Sequence, residues 1–556
     1  MSKANSKACP KIVCIKGRTA KASIRTEGSL CCAEVVETCE ILEFVNIVPQ
    51  ESTVDLFFRG LHKGRGLVKV RIGSALYEIP CVVFEEKEFF LCMVISSNAH
   101  CGFDPENLLR GCDDEKYRNI IGHAFKRTCR TLEPIYHKLG VPITWLIDPV
   151  VAKEAKSKLE EWHAVFGDDY GVMPTSYFHH NPLNYNINST PEETLDFLRS
   201  SVEEVERNFD FYTEIVGIDQ WIGGVGSNFV KAAEAMEMKG IWGIGYDHFT
   251  CDSSMFHRGA PWDMYKPDRE NIKIPCRYAS DLWAFQWTTR DLINTVHTPT
   301  GPSGSVMFST DPDDIRINGI MDHQQDYYIR MLREYKANLQ QNGFFVFLLH
   351  QEDHDTHHEK DNQYLEAFLR QVKEEVTVAT LQEITSWLNL KYSPCEQPSQ
   401  MLYLNDVLTC QDKVRFNGPV EKPQDWGNYQ GKYPPHGAFY NSDYQIFYQQ
   451  PHRKPYRVYN YKKAYAIKEV DSYPEEKYGG LQISGEVISR QEGGWVYTAI
   501  LTADREYREY PLVVWDIPEE LAVNVKDNKS VVCTDRFMIL FLRLEPGENH
   551  VYIKLE

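Results

Sequence analysis

The stretch VPITWLIDPVVAKEAKSKLEEWHAVFGDDYGVMPTSYFHH, residues 141–180, decides the fold class. VPITWLIDP reads as a buried strand, VVAKEAKSKLEEWHAVFG as a helix, and GVMPTSYFHH as extended chain again. Strand, helix and strand in that order make the βα unit of a parallel sheet, because parallel neighbours need a long crossover between them.

The same alternation continues on both sides. Upstream, FFLCMVISS reads as a strand. It is followed by EKYRNIIGHAFKRTCRTLEPIYHKLG, where Ile120, Ile121, Ala124, Phe125, Leu132, Ile135 and Tyr136 share one helical face and Gly140 stops it. Downstream, STPEETLDFLRSSVEEVERNF carries Thr190 as N-cap, Pro191 in the first turn and Glu193 to complete a capping box. TEIVGIDQW, NFVKAAEAMEMKG, IWGIGYDH, DLWAFQW, QQDYYIRMLREYKANLQQNG, FFVFLLH, NQYLEAFLRQVKEE and VTVAT extend the series. About seven or eight strands over roughly 300 residues favour an α/β fold closed as a deformed TIM-like barrel over an open sheet.

Different patterns flank this zone. Residues 1–88 are rich in β-branched and aromatic runs broken by glycine and proline, which predicts a β-rich N-terminal domain. Residues 393–556 begin with a tyrosine-dense stretch and continue as GGWVYTAILTA, YPLVVWDIP, RFMILFLRLEPG and NHVYIKLE, which predicts a C-terminal β-sandwich. The barrel is assigned to 89–392.

Composition narrows the partners. Net charge is −19, with acids and bases mixed along the chain. That excludes the concentrated basic surface a nucleic acid needs and disfavours an anionic membrane face. The N-terminus lacks the apolar core of a signal peptide, and no run of about 18 apolar residues occurs, so a cytoplasmic location is expected. The 15 cysteines are an odd number without a C-x-x-C pair, and they read as reduced thiols.

In a βα barrel the chemistry sits at the C-terminal strand ends. Those ends carry Asn98, His100 and Asp104; His179 and His180; Asp219; Asp247 and His248; and His350. Imidazoles mixed with carboxylates suit zinc or a similar divalent ion. The loop GYDHFTCDSSMFHRGAPWDMYKP offers Trp262 and Tyr265 to stack on a sugar ring, and Asp252 and Asp263 to accept hydroxyl hydrogen bonds. Trp287 and Arg290 in QWTTRDL are further substrate candidates. His123, His137 and His163 lie within helices and read as surface or packing residues. A structured loop and a core histidine are the bland alternatives for these features.

Taken in order, these segments resemble the polysaccharide deacetylases of the NodB-homology type, which share a barrel superfamily with some glycoside hydrolases. VPITWLIDP, STPEETLDFLRSSVEEVERNF, GSNFVKAAEAMEMKGIWGIGYD, the L-x-H of FFVFLLHQ and VTVATLQEI carry the resemblance over about 90–390. It implies metal-assisted removal of acetyl groups from a glycan. His350 would be the acid, Asp104 the substitute base, and His100, His179 and His180 the metal ligands. The sequence departs from the family where two aspartates normally close the first strand, since SSNAH places Asn98 and His100 there, and the H-S-x-x-H pair is missing. Two alternatives follow. One is a glycoside hydrolase pairing Asp219 or Asp247 with Asp353. The other is a catalytically lapsed glycan-binding or scaffold protein.

Overall fold

The computed structural model of the chain describes residues 11–25, 33–97, 114–174, 190–217, 227–244, 264–269, 276, 278–289, 310, 312, 326–337, 339, 343–352 and 358–398. Further on it describes 401–404, 437–441, 446–450, 457–460, 482–503, 506–515, 531–533 and 537–555.

The N-terminal strands are β1 (Ile12–Ile15), β2 (Thr19–Arg25), β3 (Ala33–Glu37), β4 (Leu42–Pro49), β5 (Thr53–Gly60), β6 (Gly64–Ile72) and β7 (Ala75–Phe84). They form two sheets, ordered β1-β7-β6-β3 and β2-β5-β4. Period-two side chains from both, Val54, Leu56 and Phe58 against Val68, Val70 and Ile79, make one core. IVCI and CVVF read as unbroken apolar runs because both faces of β1 and β7 are covered. Cys14 and Val83 face the N-terminal core, whereas Val13, Ile15, Val82 and Phe84 pack among the inner residues of the next unit.

That unit contains β8 (Glu88–Ser96), α1 (Asp114–Tyr136), β9 (Ile143–Ile147), α2 (Ala152–Phe166), β10 (Asp169–Val172), α3 (Pro191–Glu206), β11 (Ile215–Gly217) and α4 (Ser227–Ala235). It continues with β12 (Gly240–Ile244), β13 (Trp283–Gln286), α5 (Tyr327–Lys336), β14 (Phe344–Glu352), α6 (Glu359–Val372), β15 (Thr377–Val378) and α7 (Leu381–Lys391). Seven strands run parallel in the order β13-β12-β11-β10-β9-β8-β14, and β15 pairs with β8 beside them. Just beyond β13, the Thr289 N–H donates to the Leu348 carbonyl at 3.1 Å, and the Leu348 N–H donates to Thr289 Oγ1 at 2.8 Å. These bonds bring the sheet's two ends together, and the barrel is nearly closed.

Alternation sorts the strand residues. Phe90, Cys92, Val94, Leu146, Trp242, Trp283 and Leu348 fill the interior. Phe89, Leu91, Met93, Trp145, Phe345 and Phe347 face the helices. The interior also leaves no room for a side chain at one inner position of β10. At Gly171 an added Cβ would lie 2.7 Å from Leu146 Cδ2 and 3.0 Å from the Ile215 carbonyl oxygen. Backbone cannot yield cheaply, so Gly171→Ala is expected to cost about 1–3 kcal/mol, read as a lowered urea midpoint with unchanged slope.

The capping box forms as read. The Glu193 N–H donates to Thr190 Oγ1 at 3.2 Å, and the Thr190 N–H donates to Glu193 Oε2 at 2.8 Å. Thr190→Ala should cost about 1 kcal/mol in thermal unfolding, while Thr190→Ser should cost little. Helix α7 is the element the pattern does not single out. It has its own box from Thr380 and Glu383, and its Leu381, Ile384, Trp387 and Leu388 pack with Val13, Ile15 and Phe84 across the barrel floor.

Charge concentrates at this floor. Lys11 Nζ lies 2.8 Å from both Asp169 Oδ2 and Glu383 Oε1, with all three side chains buried. Arg65 grips Glu383 with two N–H groups at 2.6 and 2.9 Å. Burial by itself raises the Asp169 carboxyl, but Lys11 and His163 overcome it and hold its pKa below the ordinary range. Glu383 is likewise held low, where Arg65 and Lys11 outweigh burial.

Further along, β16 (Met401–Leu404), β17 (Gly437–Asn441), β18 (Ile446–Gln450) and β19 (Arg457–Asn460) pair antiparallel in sequence order. Strands β20 (Gln482–Gln491), β21 (Gly494–Ala503), β22 (Tyr507–Trp515), β23 (Val531–Cys533), β24 (Phe537–Leu544) and β25 (Gly547–Leu555) form the antiparallel sheets β20-β21-β25 and β22-β24-β23.

Candidate active site

Strand β14 pairs with β8 over its whole length, with His350 opposite Val94 and Glu352 opposite Ser96. Paired residues share a face, so His350 continues the inner row Phe344, Val346, Leu348 at the C-terminal end of its strand. Ser96 continues the inner row of β8 by the same count. Their side chains meet, with Ser96 Oγ and His350 Nε2 2.9 Å apart.

Two indoles enclose this pair. The Trp242 and Trp287 rings lie 4.6 Å apart, and each centroid is 4.7 Å from the His350 ring. His350 is fully buried. Neither indole N–H has a hydrogen-bond partner among the described residues. Burying a donor without a partner costs about 1–3 kcal/mol, so these are polar groups the surrounding packing does not satisfy.

Of the residues singled out from sequence, the structure places three. His350 stands at the inner mouth. Trp287, a substrate candidate, lies beside it, 3% exposed and packed on Trp242. Tyr265, a candidate for stacking on a sugar ring, is buried in the cluster on the helix side of the sheet, where its carbonyl accepts from the Ala284 N–H at 2.8 Å. His100, Asp104, His179, His180, Asp247, His248, Asp252, Trp262, Asp263, Arg290 and Asp353 lie outside the described residues, as do Asn98 and Asp219. Strand β10 ends at Val172, earlier than the reading of GVMPTSYFHH as one extended run expects.

Ser96 and Trp242 were not singled out from sequence. Period-two counting along FFLCMVISS puts Ser96 in register with Phe90, Cys92 and Val94, and that was the available signal. Of the three histidines read as surface or packing residues, His137 and His163 have described surroundings, and both are buried. His137 Nε2 is 2.9 Å from Asp168 Oδ2 and its ring stacks on Phe166, while His163 stacks on Phe211. Burial pushes the Asp168 carboxyl upward, further than His137 and the Trp145 and Ile143 N–H donors offset.

The divalent ion implied by the resemblance meets a sparse donor set here. One imidazole, one hydroxyl and two indoles do not make a metal site. Among the described residues no cluster of three His, Cys, Asp or Glu side chains could hold an ion. The arrangement can instead hold and orient one imidazole in a water-poor pocket, where it can pass a proton.

No protein-family model matches the chain, and no curated protein does. Among solved structures, a presumed polysaccharide deacetylase from Mycobacterium smegmatis matches at 11% identity, TM-score 0.36, covering 56% of this chain and 93% of that one. The PuuE allantoinase matches at 9% identity, TM-score 0.37, covering 55% and 93%. Domains 4 and 5 of the S-layer protein SbsC match at 12% identity, TM-score 0.13, covering 15% and 51%. Scores this low carry no argument, and the fold described above rests on strand order, register and the two core clusters. Among the described residues no helix is long and apolar enough to cross a membrane.

Proposed function

We propose that this chain is a carbohydrate-active hydrolase of the deacetylase type, releasing acetate from an acetylated glycan at the C-terminal mouth of the barrel, with residues 1–88 and 393–556 as accessory β domains. The observation supporting this reading is His350, an imidazole in the L-x-H position near the C-terminal end of the inner row of β14, hydrogen-bonded to Ser96. In its protonated form, His350 gives a proton to the leaving amine or alkoxide as the acyl carbon–heteroatom bond breaks. Ser96 fixes the ring by its hydrogen bond. Trp242 and Trp287 pack against it and exclude water, which strengthens electrostatic interactions around the ring. The described residues do not fit a metal by themselves, so no step is written through one.

The test is acetate release from a panel of acetylated oligosaccharides, with purified full-length protein and a series of added divalent ions. No acetate from any glycan under any ion sinks the proposal. A second reading has its own supporting observation. His350 is fully buried against the two indoles, as a structural histidine would be. On that reading the barrel is a glycan-binding or scaffold protein, and glycan-array binding should survive replacement of His350 with no turnover in either form.

A further inference from the structure

Two thiols meet inside the N-terminal sheets, far in sequence from the histidine just described. Cys39, in the turn between β3 and β4, places Sγ 3.2 Å from Cys81 Sγ on β7. Cys81 is buried, while Cys39 is partly exposed. The β6–β7 register sets Gly66 directly opposite Cys81. An added Cβ at Gly66 would lie 2.6 Å from Cys39 Sγ and 3.2 Å from Cys81 Sγ, so the absent side chain is the space in which the sulfurs touch. A third thiol, Cys14 on β1, is fully buried, and its Sγ faces the Phe58 carbonyl at 3.7 Å.

We propose that Cys39 and Cys81 are a modification site, a thiol pair that closes to a disulfide when a peroxide reaches Cys39. Cys39, the accessible member, attacks the peroxide as thiolate. The O–O bond breaks, Cys39 becomes a sulfenic acid, and one oxygen leaves as water. Cys81 then attacks Cys39 Sγ, loses its proton and displaces the second oxygen as water. Two thiols and one peroxide give one disulfide and two waters. The sulfurs must close from 3.2 Å to the roughly 2.05 Å of an S–S bond. The bond would fasten the β3–β4 turn to β7, whose next residues inward, Val82 and Phe84, fill the barrel floor.

The experiment treats the reduced full-length protein with a small excess of hydrogen peroxide, blocks remaining thiols with an alkylating reagent, and maps linked peptides without reduction. The expected result is a peptide pair joined through residues 39 and 81, lighter by two hydrogen masses, formed before the exposed Cys395 loses its thiol. Cys81→Ser should leave Cys39 as a sulfenic acid that a 1,3-dione traps. Cys39→Ser, at a partly exposed turn, should abolish the link in a folded protein. Gly66→Ala keeps every thiol but displaces Cys39, and it should slow the linkage. Oxidation of Cys395 with residues 39 and 81 never joined overturns the proposal. So does a link through Cys14 in place of either, or equal linkage rates in Gly66→Ala and the wild type.

Discussion

Lys11→Met should lower the free energy of unfolding by about 3–5 kcal/mol. The lysine is the buried cation shared by Asp169 and Glu383, at 2.8 Å from each. Removing it leaves Glu383 in contact with Arg65, but among the described residues Asp169 then keeps His163, 3.3 Å away, with Arg65 acting on it from farther off. A buried carboxylate without sufficient counter-charge is costly, and the variant is expected to relieve that cost by protonating. Its stability should therefore depend on pH differently from the wild type. In the wild type both carboxyls are held below their ordinary values of 3.8 and 4.5. A depressed folded pKa contributes stability that is fully present above the ordinary value and is lost as pH falls through it toward the folded value. The wild type should thus weaken steeply below about pH 4.5, and Lys11→Met should show a shallower acid limb. Urea unfolding of both proteins from pH 7 to pH 3 reads this directly. A difference under about 1 kcal/mol at pH 7, the scale of an exposed pair, would mean the cluster is not the lock between the N-terminal sheets and the barrel.

His350→Gln is the second large effect. If His350 is the proton donor, acetate release should fall by about 10²–10⁴-fold, while the urea midpoint moves little, because glutamine can keep a hydrogen bond to Ser96 and nearly fills the space. If His350 is only a core histidine, the same small shift in midpoint should appear in a protein with no acetate release in either form. Activity and stability measured on one preparation separate the two. A Ser96→Ala companion should lower the rate less than His350→Gln and alter its pH profile, since Ser96 acts by orienting the ring.

How much of this was legible in the sequence varies by element. The βα series was legible because each strand is an apolar run bounded by turns and each helix has a 3.6-residue stripe, and both are local patterns. The capping box at Thr190 was legible for the same reason. The strand boundary near Val172 was not, because no charged residue interrupts GVMPTSYFHH where the pairing of β10 with β11 stops. Helix α7 was obscured because it is buried on several faces, with Gln382, Glu383 and Thr385 as deeply buried as its leucines, so it lacks a clean amphipathic stripe.

The candidate site divides along the same line. His350 could be picked out because it ends an apolar run. Period-two counting could place Ser96 on the inner face of β8, but its hydroxyl and the Trp242 indole gain meaning only when the parallel register brings β8, β12 and β14 together.

The sequence by itself determined the parallel α/β unit, the β-rich flanks and the strand carrying His350, because hydrophobic periodicity is written along the chain within one element at a time. Tertiary structure alone decided that β1 and β7 seal the barrel floor with α7, that Lys11 meets Asp169 and Glu383, and that His350 lies against Ser96 and two indoles. Lys11 and Glu383 are joined across nearly the whole described barrel by a contact that no local pattern encodes. It exists because the desolvated carboxylates need a cation and the fold brings this one within reach.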